Sequence, residues 1–454
     1  MAGRGLRIFG LWEPSRKKRA YWLIRLELLL LLVASPLLWF PSLRPGWTAV
    51  ALGSLVLVWL LHWAIGREPW PLTPVNSALL LFALVIPVAV WASAMPELTL
   101  PKLTGLILGL AAFRVVTLMV HDRRTLVWGL TAFAVAGLGI LVIGVLGLGW
   151  PGKVRMLQPI IARIPRLLVD LPGTPDQGIN PNQLAGVLTL YLPIVMASVV
   201  GWWSERRHWP CLISLIGLGL VAGTLILTQS RGGWIGGATG LLAWVVLLGL
   251  TSRRSRTQWM AVVLLISVLV AVGITAFHLM PRQTGATFFG AEATSAVEEE
   301  VGQITLAGRE EIWSRAIYAI QDFPFTGTGL GTFRQVVRLL YPLFLVGPDA
   351  DVGHAHNIFL QTALDLGLLG LISYLAMLWA AGAVAWRTAR SAAVPGSRGS
   401  PLIRSLATGM IAGLIGLHVY GLTDAIAPGS KPGIALWMLL GLMAALPRIV
   451  YETE

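Results

Sequence analysis

Apolar runs of close to twenty residues follow one another along most of the chain, separated by short segments rich in Arg, Pro and Gly. A bilayer core of about 30 Å is crossed by about 20 residues of helix, so each run predicts a membrane span. Twelve are predicted: 22–40, 47–66, 75–94, 101–119, 125–148, 183–203, 209–228, 233–250, 258–280, 358–386, 402–421 and 432–449. Pro36, Pro87 and Pro193 fall inside them, which membrane helices tolerate. Two connections are long, at 149–182 and 281–357. The second begins with a small, acidic stretch (292–300) and continues as GREEIWSRAIYAIQDFP. There Ile312, Trp313, Ala316, Ile317 and Ile320 recur at helical spacing, Glu310 and Glu311 suit the N-terminal dipole, and Pro324 ends the pattern, which predicts an amphipathic helix. The expected fold is all-α: a polytopic transmembrane bundle of about 12 spans with a large, partly helical extracytoplasmic loop between spans 9 and 10. Residues 1–280 would supply spans 1–9 and the loop at 149–182, residues 281–357 the large loop, and residues 358–454 spans 10–12.

Composition agrees with the pattern. The 454 residues are 56% hydrophobic and 12% charged, whereas a soluble domain carries about 25% charged residues to solvate its surface. The net charge of +13 raises nucleic acid as a partner, but the basic residues fall in short clusters between apolar runs, as topology signals do. Arg16 to Arg19, Arg67, Arg123 and Arg124, Arg206 and Arg207, Arg253 to Arg256, Arg387 to Arg404 and Arg448 all fall on one side. The short connections on the other side hold only Arg44, Lys102, Arg231 and Lys431. Positive charge stays inside, so both termini are expected in the cytoplasm and both long loops outside. No cleavable signal peptide is expected at the basic N-terminus. The 20 Trp suit interfacial belts, and the single Cys211 excludes an intramolecular disulfide.

Three elements on the outer side carry candidate chemistry. TQSRGGW (228–234) places Arg231 where two apolar helices nearly meet. It reads either as a snorkelling arginine or as an anion site, because a guanidinium presents fixed donors that match phosphate oxygens. Arg309 opens the amphipathic helix four residues before Trp313, and on its own reads as a solvated first-turn arginine. PFTGTGLGTF follows; its GTGLG lacks the preceding strand of a dinucleotide loop and reads instead as a compact turn. In GHAHNIFLQTALDLGLLG, His354 and His356 lie just outside span 10, with Asn357, Gln361 and Asp365 on the following turns. Histidines two apart make a poor zinc pair, and no acidic or Cys partner stands at ligand spacing, so no metal is expected. A neutral imidazole is the usual general base near neutral pH, while interfacial capping is the plainer alternative. Asn180 and Asn182 in GINPNQLAG, after Asp176, are further candidates, with Asn182 read as a helix cap. Asp424 and Lys431 read as parts of a solvated turn, and Arg114 in span 4 as snorkelling to the cytoplasmic face.

SRGGW after a hydrophobic span, NPN upstream, GRxxIW leading into PxTGxGxGxF, and then HAHNxxLQxxxxxGLLG resemble the O-antigen ligase and polymerase superfamily, which includes protein O-oligosaccharyltransferases. The likeness covers about residues 175–375 in motifs and the rest in span count. It implies a transferase of glycans carried on a polyprenyl (undecaprenyl) diphosphate, working at the outer face of a bacterial cytoplasmic membrane without nucleotide sugar, metal or other cofactor. Arg231 matches the arginine of the SRG element, Arg309 the arginine before the loop helix, and His356 the histidine of the HN element. The resemblance makes these the catalytic residues of an inverting, metal-independent glycosyltransferase: the arginines on the diphosphate, His356 as base. His354, Asn357, Asn180, Asn182 and Arg315 would bind substrate. The expected partners are the lipid-linked glycan donor, a glycan, lipid or protein acceptor, and membrane lipids, with no nucleic acid.

Two other readings compete. A transporter or lipid flippase calls for ionisable residues at mid-membrane and repeat symmetry, whereas here the polar groups gather at one rim. A non-catalytic subunit of a polysaccharide assembly complex would not need the histidine.

Overall fold

The computed structural model describes residues 14–66, 70–150, 154, 157–165, 167–168, 179–251, 306–347, 352–394 and 400–451. The predicted ninth span, the acidic stretch 292–300 and Asp176 lie outside these residues. The helices are α1 (Pro14–Trp39), α2 (Pro45–Gly66), α3 (Asn76–Trp91), α4 (Pro96–Met119), α5 (Arg123–Gly147), α6 (Gln158–Ile161), α7 (Pro181–Ser204), α8 (His208–Leu227), α9 (Arg231–Thr251), α10 (Leu306–Asp322), α11 (Phe333–Leu340), α12 (Ile358–Ala392), α13 (Pro401–Tyr420) and α14 (Ile434–Tyr451). Among the described residues ten helices are long and apolar enough to cross a membrane, and α3 is a shorter apolar helix. Eleven of the twelve predicted spans therefore coincide with a helix, and the protein is an all-α polytopic membrane protein.

Small residues set the packing, as expected where lipid offers no hydrophobic drive for helices to associate. α13 lies between α7 and α9: a side chain at Gly413 would meet the Leu190 carbonyl at 2.5 Å, and one at Gly236 would meet the Gly416 carbonyl at 2.7 Å. Ser405 adds a hydrogen bond from its hydroxyl to the Ala197 carbonyl, 2.7 Å. α14 closes on α4, where the Trp437 ring occupies the space a Gly109 side chain would need. The ends that the charge pattern assigns to one side do gather there. Arg123 pairs with Glu205, and Arg448 donates to the carbonyls of Thr117 (2.7 Å) and Leu72 (3.1 Å).

Arg114 does not snorkel. It is buried on α4 and ion-paired with Glu27 of α1, which is also buried. Trp59 Nε1 donates to the same carboxylate at 2.7 Å, and the Trp70 ring faces the guanidinium. A buried partner satisfies the charge where it stands, so there is no need to reach water.

The large loop has its own core. α10 buries Ile312, Ala316 and Ala319 against Phe333 and Val337 of α11 and against Leu364. Ile317, expected on that face, is instead exposed. The glycine-rich turn then locks into α12. Gly367 has φ 69°, and a side chain there would meet the Phe325 carbonyl at 2.3 Å. Where the helix breaks, the loop supplies the missing hydrogen bonds: Leu368 N–H donates to the Pro324 carbonyl (2.8 Å) and Thr328 N–H to the Leu364 carbonyl (2.8 Å). α12 is thus a short half-helix followed by a long one, joined at Gly367.

Candidate functional site

The three elements singled out in the sequence meet at one rim of the bundle, joined by a fourth, the α13–α14 connection. Asn357 caps α12, its Oδ1 accepting from the N–H groups of Phe359 (2.9 Å) and Leu360 (3.1 Å) and its Nδ2 donating to the Leu422 carbonyl (3.2 Å). Ile358 N–H donates to the Gly421 carbonyl at 2.7 Å. These bonds pin the histidine turn against residues 421–424. Gly232, beside Arg231, approaches the same connection so closely that a side chain there would meet the Thr423 hydroxyl at 2.6 Å. Arg231 therefore opens α9 beside the α13–α14 connection, with Ser230 Oγ accepting from Gly233 N–H at 3.3 Å as the helix cap.

Asp424 is the centre of the cluster, and it is buried, not part of a solvated turn. Its Oδ1 lies 3.5 Å from His354 Nε2 and 3.5 Å from His356 Nδ1. The histidines therefore do have an acidic partner, one that arrives from beyond two further helices. His356 has φ 46°, an uncommon conformation for a non-glycine residue. It turns the two rings together, with centroids 4.3 Å apart. The His356 backbone N–H donates to His354 Nδ1 at 3.1 Å. His354 Nδ1 is thus an acceptor, so in the neutral ring the proton sits on Nε2 and faces Asp424.

Electrostatics favour negative charge here. Burial alone would raise the Asp424 carboxyl, but the facing imidazoles of His356 and His354 and the charge of Arg309 hold it well below the usual carboxylate range. Burial pushes the His354 imidazole down to about 3, reinforced by His356, Lys102 and Arg309 and opposed by Asp424. Arg309 reaches the site from α10, whose Trp313, one turn later, donates from Nε1 to the His356 carbonyl at 3.4 Å. Arg309 and Arg231 are close enough to repel one another, and Arg309 Nε is buried without a hydrogen bond. Lys102, near the start of α4, packs under Gly331, where a side chain would meet its Cγ at 2.9 Å.

The other candidates fall outside this cluster or serve its frame. Asn180, not Asn182, caps α7, accepting from Asn182 N–H at 2.8 Å. Pro181 takes the first helical position, where its missing N–H costs nothing. Asn182 contributes its carbonyl, which accepts from Tyr420 Oη at 2.6 Å. Arg315 donates to the Pro342 carbonyl at 3.0 Å and lies 4.0 Å from Glu311, inside the loop's own fold. Gln361 bridges the Ala355 N–H and Asp365, both at 2.8 Å, and Asp365 also accepts from Gly331 N–H at 3.0 Å. Lys431 is no solvated residue either: its Nζ lies 3.9 Å from the centroid of the Phe40 ring. Sequence reasoning missed Asp424, Lys102 and Glu27. For Asp424 there was one sign, a lone carboxylate followed by Ala-Ile-Ala in the connection between two apolar runs.

Among the described residues, His354, His356 and Asp424 could also reach a single cation, their ligand atoms all lying within 4.8 Å of one another. The charge of Arg309 acts on both His354 and Asp424 and that of Lys102 on His354, which weighs against a cation and for an anion.

A polytopic helical bundle with cationic and imidazole groups converging at one rim defines the class. Residues 216–375, which hold Arg231, Arg309, His354 and His356, match the family model described as O-antigen ligase. The chain is similar to an O-antigen ligase of Pseudomonas aeruginosa (strain PAO1), 27% identical over 278 residues, which is 59% of this chain and 58% of that protein. It is also similar to the exopolysaccharide production protein ExoQ of Rhizobium meliloti (strain 1021), 29% identical over 196 residues, or 38% of this chain and 44% of that protein. The chain thus spans about half the length of the curated relatives it matches. With the motifs, these matches make the chain similar to the O-antigen ligase superfamily.

Proposed function

We propose that the chain transfers a glycan from a polyprenyl (undecaprenyl) diphosphate carrier to an acceptor hydroxyl at the outer face of the cytoplasmic membrane, as an inverting, metal-independent glycosyltransferase of ligase or polymerase type. The observation that carries this reading is the meeting of Arg231, Arg309 and a histidine pair backed by Asp424 at one rim.

Two guanidinium groups that repel one another are stabilised by an anion between them, and a diphosphate offers oxygens to both. As the bond from the anomeric carbon to the diphosphate breaks, its electron pair passes to the leaving oxygen, and the arginines offset the growing charge. The acceptor oxygen forms its bond to the same carbon from the opposite face, which inverts the configuration. Its proton goes to His356 Nε2, which is the free nitrogen when Nδ1–H points to Asp424. The carboxylate then balances the imidazolium. Asp424 is already ionised, so no proton needs to move beyond His356. The family match and both relatives support glycan transfer in polysaccharide assembly.

The test is a reaction of purified protein with a polyprenyl diphosphate glycan and an acceptor glycan or glycolipid. Arg231→Ala and Arg309→Ala should each lower turnover by about 10²–10³-fold, the cost of removing one donor to a developing anion. Full activity in both variants would overturn the proposal. Uptake of a solute by vesicles containing this protein alone, without transfer, would favour a transporter.

A further inference from the structure

The large loop carries an apolar edge that its own core does not use. α11 and the turn after it bury Phe333, Val337, Tyr341 and Val346 against α10. On the other side Leu339 (70% exposed), Leu340 (57%), Phe344 (80%) and Leu345 (69%) stand free. Four large apolar side chains within seven residues of an extramembrane loop form a patch of the kind that marks an interaction surface.

The patch is built, not incidental. The Glu311 carboxylate accepts from the backbone N–H groups of Phe344 (2.6 Å), Leu345 (2.8 Å) and Val346 (3.1 Å). Arg315 donates to the Pro342 carbonyl and lies over the Phe344 ring, 5.7 Å from its centroid. A carboxylate and an arginine thus hold the turn in a form that turns Phe344 and Leu345 outward. The position of the patch identifies what covers it. The residues just before α11 are clamped to the end of the bundle: Leu330 N–H donates to the Ala89 carbonyl at 3.3 Å, and Thr99 Oγ1 to the Leu330 carbonyl at 2.9 Å. Ala89 lies in α3, and α4, which carries Thr99, starts at Pro96, so α11 begins where membrane helices meet the interface. Arg338, exposed on α11, and Arg315 bring positive charge to the border of the patch.

We propose that the Leu339–Leu345 segment is a membrane-surface anchor, bedding Leu339, Leu340, Phe344 and Leu345 into the leaflet on the loop's side, with Arg338 and Arg315 at its anionic headgroups. Interfacial segments bind lipid in this way, through buried apolar area and attraction between basic residues and anionic lipid. The anchor would fix the height of α10, and with it Arg309, relative to the membrane surface. This inference stands independently of the reaction proposed above.

The test uses the full chain in nanodiscs, with Cys211→Ser as background and a spin label at Phe344→Cys or, separately, Leu345→Cys. Labels at Gln335→Cys, exposed on α11, and at Trp379→Cys, exposed on a membrane span, serve as aqueous and lipid references. Both patch labels should collide with oxygen as the Trp379 label does and lose collision with a water-soluble nickel chelate. Chelate access equal to that at Gln335 overturns the proposal. So does shielding from both reagents, which would mean that protein covers the patch. Phosphatidylglycerol discs should hold the labels deeper than phosphatidylcholine discs; equal depth in both overturns the role given to the arginines.

Discussion

Asp424 Oδ1 lies 3.5 Å from His356 Nδ1 although two membrane helices separate the residues in the chain. The contact is at the long limit of a hydrogen bond, and His356 Nδ1 is buried with no closer partner. A carboxylate so placed can select the tautomer that leaves His356 Nε2 free and can stabilise the imidazolium once it forms. His356→Ala should then lower turnover by about 10²–10⁴-fold, the range for losing a general base. Asp424→Asn should lower turnover less, leave KM for the donor nearly unchanged, and move the acid limb of the pH–rate profile. A KM effect alone, with an unshifted profile, would assign Asp424 to structure only.

The same three side chains also have the geometry of a cation site, and the surrounding charge weighs against one. Arg309 and Lys102 act on the cluster together, so a divalent cation would enter a region already positive. Transfer by the purified protein should survive exhaustive chelation with EDTA. Loss of activity that returns on adding back one divalent metal would show that His354, His356 and Asp424 hold an ion after all.

His354 makes stability depend on pH in a definite direction. An unfolded histidine protonates near about 6.5, while burial holds folded His354 down to about 3. Between those values the unfolded chain binds the extra proton, so stability falls as pH drops from about 6.5 toward 3. The depressed Asp424 acts in the same sense at lower pH: its contribution is complete above the unfolded carboxylate value and is lost as pH falls through the folded one. Thermal unfolding in detergent should show a lower midpoint at about pH 5 than at about pH 7.5. His354→Gln should flatten that difference; an unchanged slope would remove His354 from the account.

The elements of the fold were legible in the sequence and their pairings were not. Span length is a local property, so eleven helices follow from apolar runs alone. Arg309 and Trp313 were readable as neighbours because a helix brings i and i+4 to one face. Asp424 was not, since His354 and His356 precede α12 whereas Asp424 follows α13. Asn180 rather than Asn182 caps α7, and here the sequence does carry the answer: in NPN the proline belongs at the first helical position, which leaves the residue before it to cap. The break at Gly367 was hidden inside an apolar run because the hydrogen bonds that permit it come from Pro324 and Thr328, in another part of the chain.

Glu27 and Arg114 test how the first two helices are held to the bundle. Both are buried, paired with each other, and surrounded by Trp59, Trp70 and His62, whose Nδ1 lies 3.7 Å from the Glu27 carboxylate. Removing one member of such a pair leaves an unbalanced charge out of water, which typically costs about 3–5 kcal/mol, whereas replacing both by apolar residues of similar size is often close to neutral. Arg114→Met alone should therefore lower the unfolding midpoint of the detergent-solubilised protein sharply. Adding Glu27→Leu to it should restore most of the loss. Trp59 would then lose its acceptor, at a cost of about 1–3 kcal/mol for an unsatisfied buried donor, so recovery should stop short of the wild-type value. A double variant no more stable than Arg114→Met would mean that the carboxylate matters through Trp59 and not through the arginine.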